Sequence, residues 1–138
     1  MLQIYSDIEK SVLLHTIYKR SDFIEGRFNI SPDEEFLQVS ALTLQSGQTF
    51  RPHKHISKKI DYTEMITAEN WIIISGKVRV FLYDLNDKVI LEADLGPGDM
   101  TMTFRGGHNY MILEDNTIIY ETKSGPYFGQ KLDKVFIN

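Results

Sequence analysis

The chain has no cysteine among its 138 residues, which excludes disulfides, thiolate-held metals and a cysteine nucleophile. That suits a reducing compartment. No apolar run approaches the roughly 20 residues needed to span a bilayer. The opening Met1-Leu2-Gln3-Ile4-Tyr5-Ser6-Asp7 lacks the basic start and apolar stretch of a signal peptide. A cytoplasmic protein without a membrane partner is therefore expected. Excess charge of one sign is also lacking: the net charge of −4 offers no general polyanion-binding surface, so no nucleic-acid partner is expected. Long helical periodicity, internal repeats and low-complexity segments are missing as well. Histidine is scarce, at four residues, and three of the four sit in two places.

What is present is strand grammar. A hydrophobic fraction of 42% and an aromatic fraction of 12% suit one globular domain over residues 1–138. Residues 1–35 are the least legible part: Leu2, Ile4 and Val12-Leu13-Leu14 read as short strands or a strand with a brief helical turn. His15 stands alone there and reads as a structural or surface histidine. Phe36–Leu44 has the apolar alternation of a half-buried strand, ended by Ser46-Gly47. A strand through Arg51–His55 follows, with Pro52 at its start or on a sheet edge. Trp71-Ile72-Ile73-Ile74 reads as a strand buried on both sides. Beyond it, Ser75-Gly76, Asp84–Asp87, Leu95–Asp99, Gly106-Gly107 and Glu114–Asn116 punctuate a series of short strands. Such spacing predicts an all-β sandwich or barrel, with the C-terminal dozen residues packed along the outside.

The chemistry concentrates at Arg51-Pro52-His53-Lys54-His55, Glu69 and His108. In an extended strand, residues two apart share a face, so His53 and His55 would aim two imidazoles into one space. Neutral imidazole suits zinc, copper, iron and nickel, and an added carboxylate extends the range toward iron and manganese. By the same parity Arg51 either meets an anionic group of a ligand or is an exposed charge. Tyr110 shares the face of His108 and is either a ligand hydrogen-bond donor or core. Trp71 shares the parity of Glu69 and forms an aromatic wall or fills the barrel floor. Met100 and Met102 read as core, and Lys58, Lys59, Arg79 and Arg105 as solvated surface.

These residues resemble the motifs of the cupin superfamily. The first motif runs from a glycine through His-x-His to a glutamate and a second glycine, matched by Gly47, His53, His55, Glu69 and Gly76. The stretch from His55 to Glu69 is longer than usual in the family, which requires a loop insertion, and Glu64 is the rival acid. Six residues separate Glu69 from Gly76, as the motif has it. The second motif is matched by Gly98-Asp99, Gly106 and His108, with Phe104 in place of its proline and the histidine one residue early. The resemblance covers about residues 36–123. Within the superfamily the chain is similar to small single-domain cupins of unassigned activity, often associated with sugar-nucleotide and surface-polysaccharide pathways.

The resemblance implies a double-stranded β-helix, the jelly-roll barrel, with a short N-terminal strand or helix region. It implies a divalent metal (iron, manganese, nickel or zinc) on His53, His55, Glu69 and His108. Three imidazoles and a carboxylate leave open positions on a six-coordinate ion, which a Lewis-acid or oxygen-activating site requires. The leading expectation is a metal-dependent isomerase, epimerase or oxygenase acting on a small polar, carbohydrate-derived molecule. A second is a metal-free sugar-nucleotide ketoisomerase using His53 and His55 as acid and base with Tyr110 assisting. A third is a binding or sensing module without turnover. By analogy with cupins, a homodimer joined through the N-terminal strands is also expected.

Overall fold

The structure, a computed structural model, describes residues 1–57, 59 and 65–137. Its strands are β1 (Leu2–Tyr5), β2 (Leu13–Tyr18), β3 (Gly26–Asn29), β4 (Ser40–Thr43), β5 (Glu69–Ser75), β6 (Val78–Tyr83), β7 (Val89–Leu95), β8 (Met100–Thr103), β9 (His108–Ile112) and β10 (Ile118–Lys123). A 3-10 turn at Arg20–Asp22 follows β2, and the short helix α1 (Gln130–Asp133) follows the last strand. The protein is all-β, and every strand pair is antiparallel. One sheet has the order β1-β2-β8-β5-β10, a second β7-β6-β9, and β3 and β4 form a separate hairpin. Among the described residues no helix is long and apolar enough to cross a membrane.

From β5 onward the chain shuttles between the two larger sheets. Strands β5, β8 and β10 belong to the first, and β6, β7 and β9 to the second. Burial explains why the sheets stack. On β6, Val78, Val80 and Leu82 are fully buried while Arg79 between them is exposed, the alternation of a strand with one dry face. Those three join Ile4, Ile17, Trp71 and Ile73 of the first sheet in one core. The first sheet is dry on its other face as well. There Met100 and Met102 pack with Tyr18, Ile30, Ala41 and Phe104 beneath the β3–β4 hairpin. All four residues of β8 are consequently buried, although Met-Thr-Met-Thr alternates as a one-sided strand would.

Two expectations change. The strand foreseen over Phe36–Leu44 is regular only at Ser40–Thr43. Before it, the Ser31 hydroxyl accepts from the Val39 amide at 3.0 Å, and the Gln38 side chain donates to the Pro32 carbonyl at 2.9 Å. Local side-chain bonds there take the place of a ladder. The strand foreseen over Arg51–His55 is not formed: these residues are exposed and irregular. Pro52 removes one ladder donor, and the alternating side chains are polar or charged, so pairing would bury no apolar face.

The undecided N-terminal region is also resolved. Strand β2 adds directly to β8, pairing His15 with Thr103 and Ile17 with Thr101. The 3.0 Å contact between the His15 ring and the Thr103 hydroxyl crosses that same pair.

Candidate functional site

Glu69 opens β5 and His108 opens β9, so the two come from different sheets and meet in the space between them. The approach depends on the bend at Gly106-Gly107. Gly106 has φ of 77°, and a side chain there would run into the Tyr83 carbonyl, so only glycine lets the chain turn this close to β6. The bend is fastened by the Tyr83 amide donating to the Gly107 carbonyl at 2.8 Å. His108 then pairs in register with Leu82, and its Nε2 lies 3.3 Å from Oε1 of the buried Glu69.

Trp71, two residues along β5 on the same face as Glu69, supplies a wall. Its ring stands edge-to-face to His108 and to Tyr110, with centroids 4.5 Å away in each case. The indole Nε1 donates to Glu121 Oε2 at 3.2 Å, which fixes the ring from β10. Tyr110 lies at the edge of this group and is about one-third exposed (36%). Glu69, Trp71, His108 and Tyr110 are thus brought together as a carboxylate, an imidazole and two aromatic faces.

The electrostatics favour an ionised Glu69. Burial alone pushes its carboxyl up, but the hydrogen bond and charge of His108 oppose this, and Lys134 and Lys123 add to them. The net result holds it below the usual carboxylate range. Lys123 is the register partner of Glu69 across β10 and β5. Among the described residues, His108 Nδ1 is buried with no hydrogen-bond partner.

Behind the site, His15 is fully buried. Its Nε2 lies 2.9 Å from the Tyr83 carbonyl, which can only accept, so Nε2 carries the proton. Nδ1 then accepts from the Thr103 hydroxyl at 3.0 Å. Burial drives its pKa down to about 4, against the Tyr83 carbonyl, which raises it; nearby His108 adds to the lowering.

His53 and His55 lie elsewhere in character. Both are exposed, and their rings face one another at 5.4 Å. His53 Nδ1 donates to the Arg51 carbonyl at 2.9 Å, which leaves Nε2 as its ligand atom. Arg51 is an exposed charge. Among the described residues, no group of three or more His, Asp and Glu side chains is arranged to hold a metal ion. Glu64 and Lys58 lie outside the described residues. Lys59 is exposed, Arg79 makes a two-bond fork to Asp94 at 2.7 and 3.2 Å, and Arg105 pairs with Glu35 at 2.7 Å.

The donor chemistry still suits a cation. Two ligand atoms about 2.1 Å from a shared ion, at angles between square and tetrahedral, lie roughly 3.0–3.4 Å apart. The 3.3 Å between Glu69 and His108 falls in that range. The four expected ligands therefore form two pairs, one assembled between the sheets and one on the irregular segment.

An open groove of about 690 Å³ is lined by Glu35, Phe36, Met65, Ala68, Phe104 and Arg105 among others. Neither Glu69 nor His108 lines it, and its arginine is already paired with Glu35. Sequence reasoning missed Lys123 and Lys134, which act on Glu69, and Thr67 and Asp133, which bond with each other, Asp133 also with Lys123. No motif marks them, because register and the return of the C-terminal residues bring them there. No family model matches the chain, and no curated protein or solved structure matches it either.

Proposed function

We propose that this chain is a cupin-type jelly-roll protein holding one divalent metal ion on Glu69, His108, His53 and His55, with Trp71 and Tyr110 lining the ligand space. The carrying observation is the 3.3 Å approach of Glu69 and His108, two residues far apart in sequence and contributed by different sheets. The strand order supports the barrel. Strand β5 pairs with β8 and β10 while β6 pairs with β7 and β9, so the chain crosses between the two sheets after β5, β7, β8 and β9. Segment 51–57 would bring the second pair of imidazoles by folding over the open side of the site.

Iron, manganese, nickel or zinc bound there would supply a Lewis acid for charge developing on a ligand oxygen. The chain's own groups do the rest. Glu69 stays ionised at neutral pH and gives the site negative charge. The buried Trp71 ring backs His108 and Tyr110, and the Tyr110 hydroxyl can donate to a ligand oxygen. This arrangement suits an isomerase or epimerase acting on a small polar, carbohydrate-derived molecule, and an oxygenase if the metal is iron.

Calorimetric titration of metal-stripped protein with zinc, manganese, nickel and ferrous ion tests the reading. One equivalent of at least one ion should bind, Glu69→Gln should abolish binding, and His53→Ala with His55→Ala should weaken it at least about tenfold. Binding by none of these ions would retire the metal.

The Glu69–His108 contact also favours a second reading, in which a carboxylate-oriented imidazole moves a proton without metal. In that case His108 replaces the His53–His55 pair as acid and base, and turnover of a nucleotide-sugar panel should survive exhaustive chelation.

A further inference from the structure

Past β10 the chain turns back over the end of the barrel where Glu69 and His108 sit. Asp133, at the end of α1, is the first anchor. One of its carboxylate oxygens accepts from Lys123 Nζ at 3.0 Å, and the other accepts from the Thr67 hydroxyl at 3.3 Å. The side chain is only 9% exposed in this cradle. Ile137 is the second anchor: it lies so close to Gly107 that a side chain on that glycine would collide with its Cδ1.

Both anchors adjoin the site. Thr67 is two residues before Glu69, Lys123 is the register partner of Glu69, and Gly107 precedes His108. Four residues of chain reach at most about 14 Å, so the span from Asp133 to Ile137 must pass beside the Glu69–His108 pair. Lys134, in that span, acts on the Glu69 carboxyl. The outward residues gain little from this placement, since Leu132, Val135 and Phe136 are each more than 70% exposed. The strap is held by its two anchors and not by a dry face.

We propose that Asp133 occupies, from within the chain, a binding site for the oxyanion of a ligand, and that an incoming carboxylate or phosphate displaces it and lifts the strap from the Glu69–His108 pair. The cradle has what an oxyanion needs: an ammonium on one oxygen, a hydroxyl on the other, and shelter from water. The inference deepens the reading of the Glu69–His108 site by assigning its ligand a negative group, and rests on that reading for the ligand's place only.

The cradle is testable without metal or substrate. Inorganic phosphate and acetate are titrated into wild type, Asp133→Asn, Asp133→Ala and Lys123→Met, at an ionic strength matched with chloride. Vacating the cradle with Asp133→Ala, or discharging its occupant with Asp133→Asn, should tighten binding of at least one anion by about fivefold or more, and Lys123→Met should remove the gain when combined with Asp133→Ala. Gain with acetate alone assigns a carboxylate, and gain with phosphate alone a phosphate. Hydrogen exchange should rise by about fivefold or more over residues 129–137 in Asp133→Asn, with β5 and β10 unchanged. In wild type the favoured anion should produce the same rise. Unchanged anion affinity in both Asp133 variants, or a strap equally protected with and without Asp133, overturns the proposal. The His53→Ala, His55→Ala double variant should behave as wild type in these measurements, so loss of the metal reading leaves this one standing.

Discussion

At the scale of single residues, His15 carries the clearest energetic consequence. It is neutral in the fold with a pKa near 4, against an ordinary value of 6.5. Unfolded chains therefore bind a proton that folded chains refuse between these two values. The contribution is complete above pH 6.5 and is lost as the pH falls toward 4. Linkage puts the loss at about 2 kcal/mol by pH 5 and about 3 kcal/mol by pH 4. Urea denaturation at pH 7.5 and pH 5 should show it, and His15→Gln should flatten the difference. Equal pH dependence in wild type and variant would contradict the assignment. The sequence showed an isolated histidine with no partner in sight. Its partners, Tyr83 and Thr103, arrive from β6 and β8, and only the β2–β8 register reveals them. His108 was legible because it follows the Gly106-Gly107 bend, and Glu69 because its spacing to Gly76 matches a motif. Their lysine neighbours were not.

Among the elements, the run from β5 to β10 was readable, since each strand alternates or is uniformly apolar and each ends at Gly, Pro, Asn or Asp chemistry. The Asp84–Asp87 turn shows why. Asp87 takes φ of 63° and donates to the Asp84 carbonyl at 3.1 Å, while the Asp84 side chain holds Ser6, Asp7 and Leu85. The histidine segment misled because parity was assumed where, among the described residues, no partner strand fixes it. Its exposure makes a direct prediction. Trypsin should cut metal-free protein early after Lys54, and the ion that binds in calorimetry should slow that cut by at least about tenfold. A cut that proceeds at the same rate in both states would show that His53 and His55 do not join the site.

For the whole molecule, two stacked sheets with a hairpin beneath one of them place the first sheet in the interior and leave its edges outside. Strand β1 forms one edge, with its own Leu2 and Tyr5 exposed. Pairing of two copies along β1 would cover this edge. Light scattering should then give twice the chain mass, and Leu2→Lys with Tyr5→Lys should return it to one. A wild-type mass of one chain would leave β1 as a bare edge.

The chain has a single tryptophan, and it stands against the rings of His108 and Tyr110. Its ultraviolet emission is therefore an unlabelled optical signal from one known place. Arrival of a paramagnetic ion, or of a ligand beside His108 and Tyr110, alters that light, so occupancy can be followed in a cuvette before any reaction is known.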